Sequence, residues 1–140
     1  MKKKVLIVED DPVMSFVCQR LLNKHGYETE IAIDGGKGLE RLTEFRPDAV
    51  LLDLMMPKVN GTDFLKGMRS QELFRDLPVI VLTNAAVPML IEQASNAGAT
   101  CVLDKSKFNP VAVIELLRAL LHTGPSTSLG EMSHAEPWKG

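Results

Sequence analysis

Residues 5 to 12 read VLIVEDDP, four apolar residues running straight into three carboxylates, Glu9, Asp10 and Asp11. Like charges side by side repel, and more so where solvent is excluded. Single polar residues close three similar runs: Asp53 after AVLL (49–52), Thr83 after VIVL (79–82), and Asp104 with Lys105 after CVL (101–103). Carboxylates, a hydroxyl and an ammonium, if gathered at one place, suit a hard divalent ion and a phosphate. Oxygen-only donors favour Mg2+ over zinc or copper, and Mg2+ takes one or two protein carboxylates while sharing phosphate oxygens. Lys105 would meet such a phosphate as a point charge and Thr83 as a hydroxyl donor.

The elements that must gather these residues follow from the pattern around them. The four runs are continuous and rich in Val and Ile, as strands covered on both faces are. A fifth strand, ETEIAI (28–33), alternates instead, which predicts an edge position. Between the strands lie stripes of helical period: Val13, Phe16, Val17 and Leu21; Leu39, Leu42 and Phe45; Phe64, Leu65 and Met68; Leu90, Ile91 and Ala94; Val113, Leu116, Leu117 and Leu120. Asp11-Pro12 reads as a helix start, His25-Gly26 and Asn96-Ala97-Gly98 as helix ends, and Asn60-Gly61 as a turn. Strand–helix repeated five times gives a three-layer α/β domain over residues 1–122. In an open parallel sheet the carboxyl ends of all strands share one rim, and sites form there. Glu9, Asp10, Asp53, Thr83 and Lys105 therefore meet, although they span nearly the whole domain. Asp11 is read as the cap of the first helix and Asp104 as a surface residue, both outside the site.

Composition narrows the function classes. The 140 residues are 45% apolar and 24% charged, with 16 basic and 18 acidic residues and a net charge of −2. That balance leaves no basic footprint for nucleic acid or an acidic membrane. Cys18 and Cys101 have no metal-finger spacing and read as small buried hydrophobes. No apolar run reaches membrane-spanning length, and a cytoplasmic location is expected. Residues 123–140 carry Gly, Pro and Ser without an apolar period and are expected to be a flexible tail.

With VLIVEDDP, LLDLMMPKVNG (51–61), VIVLTNAA (79–86) and NAGATCVLDKSKF (96–108), residues 1–122 resemble the receiver domain of two-component response regulators, in the family's order and spacing. The resemblance implies a five-stranded parallel sheet of order 2-1-3-4-5, a flavodoxin-like fold of the chemotaxis-regulator type. It implies that Asp53 is the phosphoacceptor and that Asp10 binds Mg2+ (or Mn2+) directly. Glu9 then helps hold the ion through water, and Met55 lends its backbone carbonyl. Thr83 and Lys105 contact the phosphoryl group. The implied partners are a sensor histidine kinase or histidine phosphotransfer protein upstream and a protein target on the face of the fourth helix, fifth strand and fifth helix. No second folded domain is expected, unless the chain is a receiver excised from a longer protein. Neither nucleic acid nor membrane is expected as a partner, and the chain is expected to be a monomer or a phosphorylation-dependent dimer.

Several positions depart from the family pattern. Asn84 replaces a small residue, Ser106 replaces the usual proline after the lysine, and Val102 replaces a common aromatic switch. Met55 and Ala85 flank the path of an attacking water without a proton acceptor, which predicts a long-lived phosphoryl group. The chain is thus expected to be a phosphoacceptor switch, with no enzymatic turnover beyond its own phosphorylation and dephosphorylation. The alternatives are a receiver-like module that is never phosphorylated and a Mg-dependent small phosphatase. The phosphatase reading lacks the general acid commonly found at the position of Met55. A flavin or nucleotide carrier lacks the glycine-rich loop after the first strand.

Overall fold

Valine and isoleucine dominate the apolar runs because a β-branched side chain packs well on a pleated surface. In the computed structural model, which describes residues 2–54, 60–83, 88–107 and 109–122, those runs form β1 (Lys4–Val8), β3 (Ala49–Asp53), β4 (Val79–Thr83) and β5 (Cys101–Asp104), and the alternating segment forms β2 (Glu28–Ala32). Each strand leads to one helix: α1 (Pro12–Lys24), α2 (Gly35–Phe45), α3 (Gly61–Arg69), α4 (Pro88–Asn96) and α5 (Pro110–His122). The strands pair in parallel in the order β2-β1-β3-β4-β5, so β2 lies at an edge as its alternation predicts. Val8 pairs with Leu52, Asp53 with Leu82, and Thr83 with Asp104, which aligns the strand tips along one rim.

Alternate strand residues point to opposite faces, and each face carries its own core. Leu6, Val8, Val50, Leu52, Val79 and Val81 pack with Leu42, Phe45, Phe64, Leu65, Met68 and Ala94 of α2, α3 and α4. Val5, Ile7, Leu51, Ile80 and Leu82 pack with Cys18 and Leu22 of α1 and Val113, Leu116 and Leu117 of α5.

The helix starts are chemically defined. Asp11 Oδ1 accepts hydrogen bonds from the Val13 and Met14 amides at 2.9 and 3.4 Å, with Pro12 at the first helical position. Asn60-Gly61, expected to be a turn, instead opens α3: Asn60 Oδ1 accepts from the Asp63 amide at 2.9 Å. An asparagine before a helix caps it as readily as it makes a turn, which is why the dipeptide misleads. At the other end of the domain, Gly98 follows α4 with φ +111°. Arg69 donates to Gly98 O at 2.6 Å, Phe74 O at 2.8 Å and Arg75 O at 2.9 Å, tying α3 to the turn after α4 and to the loop before β4.

One stripe faces the other way from a core stripe. Val13, Phe16 and Val17 of α1 stand 70%, 55% and 43% exposed, and of that expected stripe Leu21 alone packs half-buried on the core, while Ser15, Cys18 and Leu22 are buried. Helix α1 is apolar on two sides, so periodicity alone does not choose between them. Ile33, placed in the second strand by its pattern, falls just past β2 and is also exposed. The expected tail, 123–140, lies outside the described residues.

Candidate functional site

The tip of β1 carries its acids onto the rim by backbone pairing. The Glu9 amide donates to Ala32 O at 3.0 Å, extending the β1–β2 ladder one residue past the strand. Glu9 is thereby held inward, 4% exposed, whereas the next residue, Asp10, is exposed. Asp53 at the tip of β3 is 5% exposed, and Thr83 at the tip of β4 is 2% exposed. Glu9, Asp10 and Asp53 each offer one carboxylate oxygen, all within 4.8 Å of one another.

Lys105 enters this cluster from the tip of β5. Its Nζ lies 2.8 Å from Glu9 Oε1 and 3.6 Å from Asp53 Oδ2. Burial works against the ammonium charge. The hydrogen bond to Glu9 and the charges of Asp53, Glu9 and Asp11 outweigh it and raise the Lys105 pKa above the ordinary lysine value. Three formal carboxylates against one ammonium leave two negative charges in excess, the charge of one divalent ion. Oxygen donors in this number, one of them exposed to water, fit the requirements of Mg2+. The rim is open: a notch beside Glu9 and Asp10 is walled by Pro12, Phe16, Ile31 and Ile33, of which only Ile31 is half-buried.

The family-model comparison covers residues 5–118, which match the response regulator receiver domain. The chain belongs to that family. Among curated relatives, the response regulator MprA of Mycolicibacterium vanbaalenii is 39% identical over 137 residues, covering 94% of this chain and 56% of that protein. The DNA-binding response regulator MtrA of Mycolicibacterium smegmatis is 31% identical, covering 86% of this chain and 51% of that protein. The chain thus spans about half the length of the curated relatives it matches. Among solved structures, the chemotaxis protein CheY4 of Vibrio cholerae superposes with TM-score 0.81 at 31% identity, covering 86% of this chain and 100% of that one. The receiver domain of sensor histidine kinase PA1611 of Pseudomonas aeruginosa has TM-score 0.81 at 28% identity, over 88% of this chain and 100% of that one. That structure holds a magnesium ion in its active-site cleft. Receiver domains are phosphoacceptor signalling modules and not a catalytic enzyme family.

Within this receiver, the five side chains singled out in the sequence lie at four neighbouring strand tips. Met55, with its backbone carbonyl, lies outside the described residues, as do Asn84 and Ala85. Asp11 is the helix cap it was expected to be, and its amide also donates to Glu9 Oε2 at 3.1 Å. Asp104 is more than a surface acid. Its Oδ1 accepts from the Ser106 amide at 2.9 Å and the Ser106 hydroxyl at 2.6 Å, opening the 3-10 turn Lys105–Lys107 that aims Lys105. The signal was present as Asp-x-Ser, a pattern that folds a side chain onto the amide two residues on. Ser106 therefore has a structural partner in the place where the family usually has proline. Val102 is buried against the α2–α4 core, in register with Val81. No helix among the described residues is long and apolar enough to cross a membrane.

Proposed function

We propose that Asp53 accepts a phosphoryl group from a phosphohistidine on a sensor kinase or phosphotransfer protein and that the modified chain then binds a different partner. An Asp53 oxygen forms the new P–O bond as the P–N bond to the imidazole breaks, giving an aspartyl phosphate. Lys105 neutralises charge on the phosphoryl oxygens. Asp10 and Asp53 would hold a Mg2+ (or Mn2+), with Glu9 beside them and the Met55 carbonyl as a further donor; when bound, the ion adds positive charge where the phosphoryl oxygens gather it. Thr83 donates its hydroxyl to the phosphoryl group by moving inward, which biases helix α4. A coupling of about 1–3 kcal/mol is the usual scale for such a switch.

The observation that carries this reading is the convergence of the Glu9, Asp10 and Asp53 oxygens with the Lys105 ammonium between two of them. Phe16, which walls the open rim, with the exposed Val13 and Val17 of the same helix, is the face on which the phosphodonor protein seats. The α4–β5–α5 face is the expected output surface. The domain runs over 1–122, the tail is 123–140, and a cytoplasmic setting follows from the kinase partnership. DNA binding belongs to longer relatives and is not proposed for this stretch. Treatment with a small phosphodonor and Mg2+ followed by intact-mass measurement tests the function. One added phosphoryl group is expected, and none in Asp53→Ala. An unmodified parent chain would favour the receiver-like binding module, and steady release of inorganic phosphate from a generic ester would favour the phosphatase.

A further inference from the structure

We propose that Asp104 and Ser106 form a side-chain clasp on which the phosphoryl transfer depends, and that proline, the family's usual residue after the lysine, is the wrong residue in this chain. This rests on the phosphoacceptor reading above. The β4–β5 ladder ends at the pair Thr83–Asp104. Lys105 is the first residue beyond it, so strand pairing does not fix its backbone, and it opens the 3-10 turn Lys105–Lys107. A single 3-10 turn is held weakly by its own hydrogen bonds. Asp104 supplies the missing hold, since its Oδ1 accepts from both the Ser106 amide at 2.9 Å and the Ser106 hydroxyl at 2.6 Å. Both bonds reach across Lys105 and join the residues on either side of it.

Proline at 106 would offer neither donor, having no amide hydrogen and no hydroxyl. It would also bias Lys105 away from the helical backbone that the turn requires. No cis peptide bond occurs among the described residues. The turn is therefore built on trans peptides and side-chain bonds, and serine fits it where proline does not. The clasp matters to the chemistry because a lysine stem is flexible and its charge is a point without built-in direction. With the backbone at its root fixed, the Lys105 side chain runs inward, 10% exposed, and brings Nζ within 3.6 Å of Asp53 Oδ2. Fixing that root beforehand removes an ordering cost from the transfer step. Asp104 and Ser106 are thus positioning residues, acting through Lys105.

The test uses the full chain with two readouts. Phosphorylation by a small phosphodonor at saturating Mg2+ is followed by intact mass. Acetylation of Lys105 by acetic anhydride is followed by peptide mass spectrometry and needs no phosphoryl transfer. Asp104→Ala is expected to slow phosphorylation and to speed Lys105 acetylation, each about fivefold or more, as for a lost hydrogen bond to a charged group. Asp104→Asn keeps an accepting oxygen and is expected to stay within about twofold of the parent in both. Ser106→Ala keeps the amide bond and is expected to lose less than Asp104→Ala. Ser106→Pro is expected to slow phosphorylation about fivefold or more, although it installs the family residue. In a Lys105→Met background, Asp104→Ala is expected to add no more than about twofold, as for residues acting as one unit. The proposal is overturned if Asp104→Asn falls as far as Asp104→Ala, if Ser106→Pro matches the parent, or if Asp104→Ala slows Lys105→Met as much as it slows the parent. A parent chain that takes no phosphoryl group sinks the phosphoacceptor reading, while the acetylation of Lys105 still decides whether the clasp holds it.

Discussion

A methyl group at Gly61 would lie 2.5 Å from Leu54 Cα and 2.7 Å from Asp53 O, and backbone cannot yield as a flexible side chain can. The first turn of α3 thus packs directly on the tip of β3, with the Gly61 amide donating to Leu54 O at 3.0 Å. Gly61→Ala is expected to cost about 1–3 kcal/mol in urea denaturation, the usual scale of overpacking, and to slow phosphorylation by shifting Asp53. Beneath the acids, burial pushes the Cys18 thiol up to about 11, with Glu9 adding to the shift and Lys105 opposing it. Both Cys18 and Lys105 have raised folded pKa values. Their contributions are therefore complete below the unfolded values and are lost as pH rises through the folded ones. Cys18 sets the onset: stability is expected to fall from its ordinary value of 9.0 toward 11, by up to about 1.4 kcal/mol per pH unit. Urea midpoints across that range check this, and Cys18→Ala is expected to decline less steeply. At neutral pH the Cys18 thiol should react with an aromatic disulfide reagent only after unfolding, since the thiolate is the reactive form.

At the scale of elements, α1 and Arg69 make opposite cases. Leu22 on the buried side of α1 is fully covered, so Leu22→Ala should cost about 2–5 kcal/mol. Val17→Gln on the opposite side should change stability by no more than about 0.5 kcal/mol. The same Val17 change should slow transfer from a phosphodonor protein while leaving reaction with a small phosphodonor intact. Arg69→Met would strip charged donors from three backbone carbonyls and is expected to cost about 1–3 kcal/mol by thermal melting. The sequence announced the strands, because continuous Val- and Ile-rich runs have few alternatives, and it announced the rim, because parallel strands share one direction. It could not choose a face for α1, where Val13, Phe16 and Val17 match the buried side in apolar character. Nor did it separate a capping asparagine from a turn at Asn60, since both use the same side-chain oxygen. The tie from Arg69 to Gly98 joins residues distant in sequence, and no local pattern marks it.

For the whole molecule, the proposed ion site would couple ligand binding to stability. Glu9, Asp10 and Asp53 carry carboxylate oxygens within 4.8 Å of one another, and a divalent ion would relieve their repulsion only in the folded chain. Mg2+ should therefore raise the melting temperature of the parent and leave Asp10→Asn nearly unmoved, by scanning calorimetry with and without a chelator. The parallel sheet makes this possible by bringing to one rim side chains that lie as far apart in the chain as Glu9 and Lys105. The most direct test of the central claim is chemical mapping of the acceptor. The chain is phosphorylated with a small donor, reduced with borohydride to convert an acyl phosphate to homoserine, and sequenced by peptide mass spectrometry. Homoserine at position 53 alone, formed only with a divalent cation present, is the expected result. Homoserine at another acid, or equal yield in excess chelator, would contradict the account.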